Sequence, residues 1–273
     1  MTQKPEYLVI PAAGLGTRMQ SVDPDLPKEL LPVGPQPAIQ YAVDEAVSVG
    51  IEKIIIIIST QKTMIRRYFE DDAFRDARFP AMSKRMAKIE RTTSVSFLYQ
   101  EEPRGEADAI GLASDIIGPH SVAVFYPDNV YFPAPGALKA LIDVFKQSGK
   151  DVIGLTEAGD AEGLGNSGRV DLKPAGEPVY QITRFYPKGP GSFVPRFSGE
   201  LRTCGIAVYG AHLFDYIRRA RESSKDREIT DDTVRLLMIR DMEILGCHLQ
   251  GRLFDIGNPQ GYRDCLWYIQ SFD

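Results

Sequence analysis

Hydrophobic positions recur along the chain in two alternating rhythms. Continuous apolar runs at residues 7–10, 54–58 and 122–126 predict strands buried on both faces, as in a parallel sheet. Between them, apolar residues return at the three- and four-residue spacing of helices. Pro37 opens one such stretch, Ile39, Ala42, Val43, Ala46 and Val47 form its apolar face, and Gly50 ends it. Residues 61–69 predict the next helix, completing a βαβ unit whose crossover should be right-handed. Residues 94–99 alternate as a strand, 105–117 and 136–147 predict helices, and 151–155 a strand. Between residues 71 and 93, Phe74, Phe79, Met82, Met86 and Ile89 predict an amphipathic surface helix whose Lys84, Arg85, Lys88 and Arg91 face water. Residues 157–199 are rich in Gly and Pro, with short strands at 169–173 and 179–183. Strands at 199–209 and 245–249 and helices at 211–221, 230–240 and 259–269 complete the pattern.

Strand–helix alternation of this kind predicts an α/β fold. The expected architecture is a doubly wound, mostly parallel mixed sheet, Rossmann-like and three-layered, with ligands at the carboxyl ends of its strands. No repeat or low-complexity tract interrupts it. The chain is therefore expected to be a single domain, 1–273, with a first lobe (1–132) for nucleotide and a second (133–273) for a co-substrate.

Composition narrows the class. A net charge of −5 argues against a nucleic-acid or acidic-membrane binder, although local cations can still gather an anion. Cys204, Cys247 and Cys265 stand apart with no Cys-x-x-Cys spacing, which points to free thiols in a reducing compartment. Residues 1–6 are polar and lack a signal-peptide core, and the apolar run at 54–58 is far shorter than the roughly 20 residues a membrane span needs. The expectation is a cytoplasmic enzyme; oligomeric state is left open.

The chemistry concentrates after the first strand. Small residues follow without pause at Ala12, Ala13, Gly14 and Gly16, interrupted by Leu15, with Thr17 after them. Where side chains vanish, backbone N–H groups can converge on phosphate oxygens. Arg18 adds a forked cation, and Lys28, in a Pro-rich stretch expected to be extended, adds a mobile one. A P-loop would need Gly-Lys-Ser/Thr, but Gly149-Lys150 runs into Asp151. The dinucleotide fingerprint would need glycine where Met19 stands, which disfavours a nicotinamide dehydrogenase. Asp128 and Asp255 each end a predicted strand. One reading makes each a turn former; the other lets both share a hard cation such as magnesium. His120, His212 and His248 are scattered singly and read as structural.

Gly14-x-Gly16-Thr17-Arg18-Met19 followed by Pro27-Lys28-Glu29-Leu30-Leu31-Pro32 resembles the head of the sugar-1-phosphate nucleotidylyltransferases, the uridylyltransferase branch more closely than the thymidylyltransferase one. The resemblance implies transfer of a nucleotidyl group from UTP or dTTP to a sugar 1-phosphate, with glucose 1-phosphate the expected acceptor. It implies that Arg18 and Lys28 hold phosphates and that Asp128 and Asp255 bind magnesium. It places Ala12 to Thr17, Gln100 and Gly105 around the nucleotide, and Gly168 and Gly205 at the sugar. At residues 184–188 the chain departs from the family's Glu-Lys-Pro: aligning prolines puts Phe185 at the sugar-binding Glu and Tyr186 at the phosphate-binding Lys. Lys188 or Arg184 could supply the cation from a shifted position, but neither replaces a carboxylate that reads sugar hydroxyls. The departure leaves room for a different sugar, or for a silent nucleotide-sugar-binding homologue. An acceptor phosphate is already anionic near neutral pH, so no general base is required. The short run after the last predicted helix is expected to leave no room for an appended repeat domain.

Overall fold

The computed structural model describes residues 3–157, 164–165, 167–224 and 228–271. Strand β1 (Tyr7–Pro11) shows how the fold is built: Leu8 and Ile10 face one core and Tyr7 and Val9 the other. β2 (Lys53–Ser59) repeats the division, with Ile54, Ile56 and Ile58 on one side and Ile55 and Ile57 on the other. A strand with no polar face must be covered twice, so helices pack on both faces of the sheet in three layers. Helices Ala38–Ser48, Thr63–Glu70 and Ala137–Ser148 cover one face. Glu106–Gly111, Leu213–Ser224 and Asp231–Asp241 cover the other.

The main sheet and the site also use β3 (Ser94–Gln100), β4 (Val122–Phe125), β5 (Asn129–Phe132), β6 (Val152–Glu157), β7 (Val170–Pro174), β8 (Val179–Phe185), β9 (Leu201–Tyr209), β10 (Ile244–His248) and β11 (Arg252–Asp255). Nine form one sheet in the order β7-β8-β10-β6-β9-β4-β1-β2-β3. The β4-β1-β2-β3 half is parallel, and β10 lies parallel to β6. β9 runs antiparallel to both its neighbours, and β8 antiparallel to both of its own. The chain leaves β1 toward β2 on one side and returns as β4 on the other. Their two carboxyl-end loops therefore open side by side, the usual place for a ligand in such a sheet.

Three local departures from the sequence expectation matter. The surface helix expected over 71–93 is broken into Asp72–Arg78 and Ser83–Ile89, because Pro80 cannot continue a helix. Its five apolar residues are nevertheless buried and Lys84, Arg85, Lys88 and Arg91 exposed. The Pro-rich stretch is not simply extended: Lys28–Leu30 forms a 3-10 turn, and Pro32–Val33 pairs with Gln36–Pro37. A strand ending at Asp255 is expected from the sequence, but β5 and its pairing with β11 into a short ribbon, in which Asp255 pairs with Asn129, are not. This ribbon, the Lys28 turn and the closing helix Pro259–Gln270 share a small core containing Met19, Leu31, Val130, Phe254 and Tyr262. The Tyr262 hydroxyl donates to the Pro32 carbonyl at 2.7 Å, tying the last helix to the Lys28 segment.

Glu45, 1% exposed, caps helix Ala137–Ser148 from a distance. Its carboxylate accepts from the backbone N–H groups of Gly136 (2.7 Å), Ala137 (3.0 Å) and Leu138 (2.9 Å). Glu45→Ala leaves these buried donors without their partner, and chemical denaturation should register a loss of about 3 kcal/mol. A milder effect attaches to His212, whose Nε2 lies 2.7 Å from Asp151 Oδ2. That hydrogen bond raises the imidazole pKa above its ordinary 6.5. A raised folded-state pKa gives stability that is present below the unfolded value and lost as pH climbs through the folded one. Wild type should therefore lose more stability between pH 6 and pH 8.5 than His212→Gln does.

Candidate active site

The first and fourth strands deliver the bare loop and Asp128 to one edge of the sheet. Above Gly14 the space is open, with nothing within 4 Å of where a side chain would begin. Arg18 follows on the exposed 3-10 turn Thr17–Met19 and makes no ion pair among the described residues. Lys28 turns inward and its ammonium is ion-paired with the Asp128 carboxylate. Asp255 joins them because β11 pairs with β5 and the Ile256 N–H donates to the Asp128 carbonyl at 2.8 Å. A Cβ built on Gly257 would lie 2.7 Å from Asp128 Oδ2 and 3.0 Å from Asp255 Oδ1. The two carboxylates thus converge on a single point that only a glycine leaves clear.

Electrostatics follow from that crowding. Burial opposes ionisation of Asp128, but Lys28 outweighs it, and the carboxyl sits below its usual pKa. Asp255 is pushed up by burial and by its neighbour Asp128. Burial alone would discharge Lys28, yet Asp128 and Glu29 hold it protonated and its pKa rises. Two acids and one ammonium so arranged can take up phosphate oxygens and a hard divalent ion.

Gln100 is buried at the end of β3, where its amide donates to the Gly105 carbonyl (3.0 Å) and to Asp108 Oδ2 (2.9 Å). Its carbonyl oxygen remains for a ligand donor. Gly105 adopts φ 101°, and a Cβ there would lie 2.4 Å from the Ile229 carbonyl oxygen. The glycine is therefore required by protein packing as well as by open approach.

Next to Asp255 lies a cavity of about 150 Å³, bordered by Gly168, Lys188, Gly205 and Asn129 among others. Gly205 donates its N–H to Asn129 Oδ1 at 2.9 Å, and Asn129 Nδ2 donates to Asp128 Oδ1 at 3.1 Å, linking cavity to carboxylates. Tyr186 does not border it. Its hydroxyl donates to Asp171 Oδ2 at 2.9 Å and Arg184 covers its ring. Phe185 is buried in the core. Lys188 does reach the cavity and pairs with Glu106 at 3.2 Å. The sequence reading passed over Glu106, Tyr126, Asp231, Asp232 and Arg235, which also border it. Thr230 caps the helix that carries Asp231 and Asp232, its hydroxyl accepting from the Thr233 N–H.

The sequence reading also passed over a brace beneath the loop. Lys62 Nζ donates to the Ala12 carbonyl (2.9 Å) and to Glu29 Oε1 (2.7 Å). Burial lowers the Lys62 pKa, Glu29 is fully buried, and its Oε2 has no partner. The pair fixes the bare loop against the turn that carries Lys28.

An open backbone turn, two cations and two convergent carboxylates at a doubly wound sheet's switch point define a phosphate-handling α/β protein. The chain belongs to the nucleotidyl transferase family, whose model matches residues 7–270. It is 29% identical over 266 residues to a UTP–glucose-1-phosphate uridylyltransferase of Staphylococcus epidermidis, covering 95% of this chain and 90% of that one. The Bacillus subtilis protein of the same name is 27% identical, with 95% and 89% covered. Two solved structures share the fold: UDP-glucose pyrophosphorylase complexed with UDP-glucose (TM-score 0.82, 21% identity, 100% of both chains) and a UTP-bound UGPase from Acinetobacter baumannii (0.79, 24%, 100% of this chain and 95% of that one).

Removing one half of the Lys62–Glu29 brace strands a buried charge. Lys62→Met should cost about 3–5 kcal/mol in urea denaturation, and the double variant Lys62→Met/Glu29→Leu should recover most of that loss.

Proposed function

We propose that the chain transfers a uridylyl group from UTP to glucose 1-phosphate, releasing pyrophosphate. The observation that carries this reading is the Lys28–Asp128 ion pair beside Asp255 at the mouth of the bare loop. The names of its relatives, and the UTP and UDP-glucose held by structures of the same fold, support it. In this reading the nucleotide lies over Ala12 to Thr17, its base facing the free Gln100 carbonyl and Gly105. Arg18 takes the outer phosphates, and Lys28 spans the α-phosphate and the incoming sugar phosphate. A phosphate oxygen of the acceptor forms a bond to the α-phosphorus as the bond to pyrophosphate breaks, and no proton need be removed. The chain's task is to bring two polyanions together and offset their charge.

A divalent ion, magnesium by the chemistry of the donors, fits Asp128 and Asp255: both are hard oxygen ligands aimed at one point. When bound it would neutralise triphosphate charge. The sugar would occupy the second lobe, 133–273, against Gly168, Gly205 and Lys188. Among the described residues no helix is long and apolar enough to cross a membrane. Three buried free thiols support a reducing, cytoplasmic setting.

Pyrophosphate release from UTP and glucose 1-phosphate tests the reading. Lys28→Ala and Asp128→Ala should each lower kcat by about 10²-fold or more. Turnover near the wild-type rate in either variant would overturn it.

A further inference from the structure

The cavity beside Asp255 holds three carboxylates of its own, and two of them are already engaged. Glu106 pairs with Lys188 at 3.2 Å. Asp231 accepts from the Tyr126 hydroxyl and pairs with Arg235 Nη2 at 3.1 Å. Asp232 is different. It borders the same cavity and is 8% exposed, and its Oδ2 is buried with no hydrogen-bond partner among the described residues.

A carboxylate withdrawn from water without a partner is unfavourable unless something else answers it. Its place at the start of helix Asp231–Asp241, capped by Thr230, favours negative charge but gives Oδ2 no hydrogen-bond partner. Lys188 lends long-range attraction, yet its ammonium bonds to Glu106. An ionised carboxylate can only accept, so the ligand group that answers it must be a donor.

We propose that Asp232 is the residue that reads the sugar, accepting hydrogen bonds from ring hydroxyls of a neutral hexose 1-phosphate. The inference rests on the proposed transfer reaction and names the specificity residue for its acceptor. It gives Phe185, buried in the core, no part in recognition and moves the acidic acceptor from the end of β8 to the start of a helix on another face of the cavity. A uronic-acid 1-phosphate, whose carboxylate would meet Asp232 head-on, is excluded as a substrate.

Kinetics and titration together test this. With glucose 1-phosphate, Asp232→Ala should raise the acceptor KM about tenfold or more while leaving the KM for UTP unchanged. Asp232→Asn keeps the shape and one acceptor, and should fall between the two. Among singly deoxygenated glucose 1-phosphates, at least one should be a poor substrate for wild type yet lose that handicap in Asp232→Ala. A merely structural role would not produce such substrate-specific relief. An unchanged acceptor KM in Asp232→Ala, or equal handicaps in wild type and variant for every deoxy analogue, would overturn the assignment. Calorimetry with UDP-glucose and UDP separates this from failure of the reaction itself. If wild type releases no pyrophosphate, the transfer reading fails, but a UDP-glucose advantage over UDP that vanishes in Asp232→Ala still supports the role of Asp232. Its persistence in the variant, or its absence in wild type, sinks it.

Discussion

Two like charges held together away from water need a cation, and the site is built around that requirement. Asp128 and Asp255 converge on the point above Gly257, and the Lys28 ammonium answers Asp128 directly. Everything nearby enforces the meeting. The β5–β11 ribbon sets the spacing of the acids, the closing helix pins the ribbon and the Lys28 turn into one core, and the Lys62–Glu29 pair sets that turn against the bare loop. In an acidic chain of net charge −5, attraction for a polyanion cannot come from overall charge. It has to come from cations gathered at one place, and here Lys28 is fixed there by Asp128.

Much of the architecture could be read from residues alone because it depends on local periodicity. The isoleucines of β2 admit no polar face, so a doubly covered sheet follows from them directly. The break at Pro80 lay in plain view, yet the apolar spacing on either side of it outweighed that signal. The pairing of β5 with β11 was illegible for a different reason. Its strands are four residues each and distant in sequence, and such pairing is decided by tertiary packing.

The candidate site divides along the same line. Lys28, Asp128 and Asp255 stand out because each follows a predicted element with little side-chain cover. Asp232 and Lys62 do not, since an Asp opening a helix and a Lys opening a surface turn are common solvated features. Only their burial distinguishes them, and burial is a property of the folded chain. Tyr186 shows the converse. It was placed by alignment of a proline, while the structure turns its ring toward Arg184 and Asp171 instead of the cavity.

The close approach of Gly105 to Ile229 carries a further consequence. Ile229 also receives the Ala107 N–H and donates to the Arg104 carbonyl, so the two backbones are stitched on both sides of the glycine. The segment that would cradle the base and the segment that leads into Asp232 therefore cannot slide past each other independently. If the sugar is read as proposed, a tightening of one segment would be felt by the other, and thermodynamic reciprocity would make any such coupling equal in both directions.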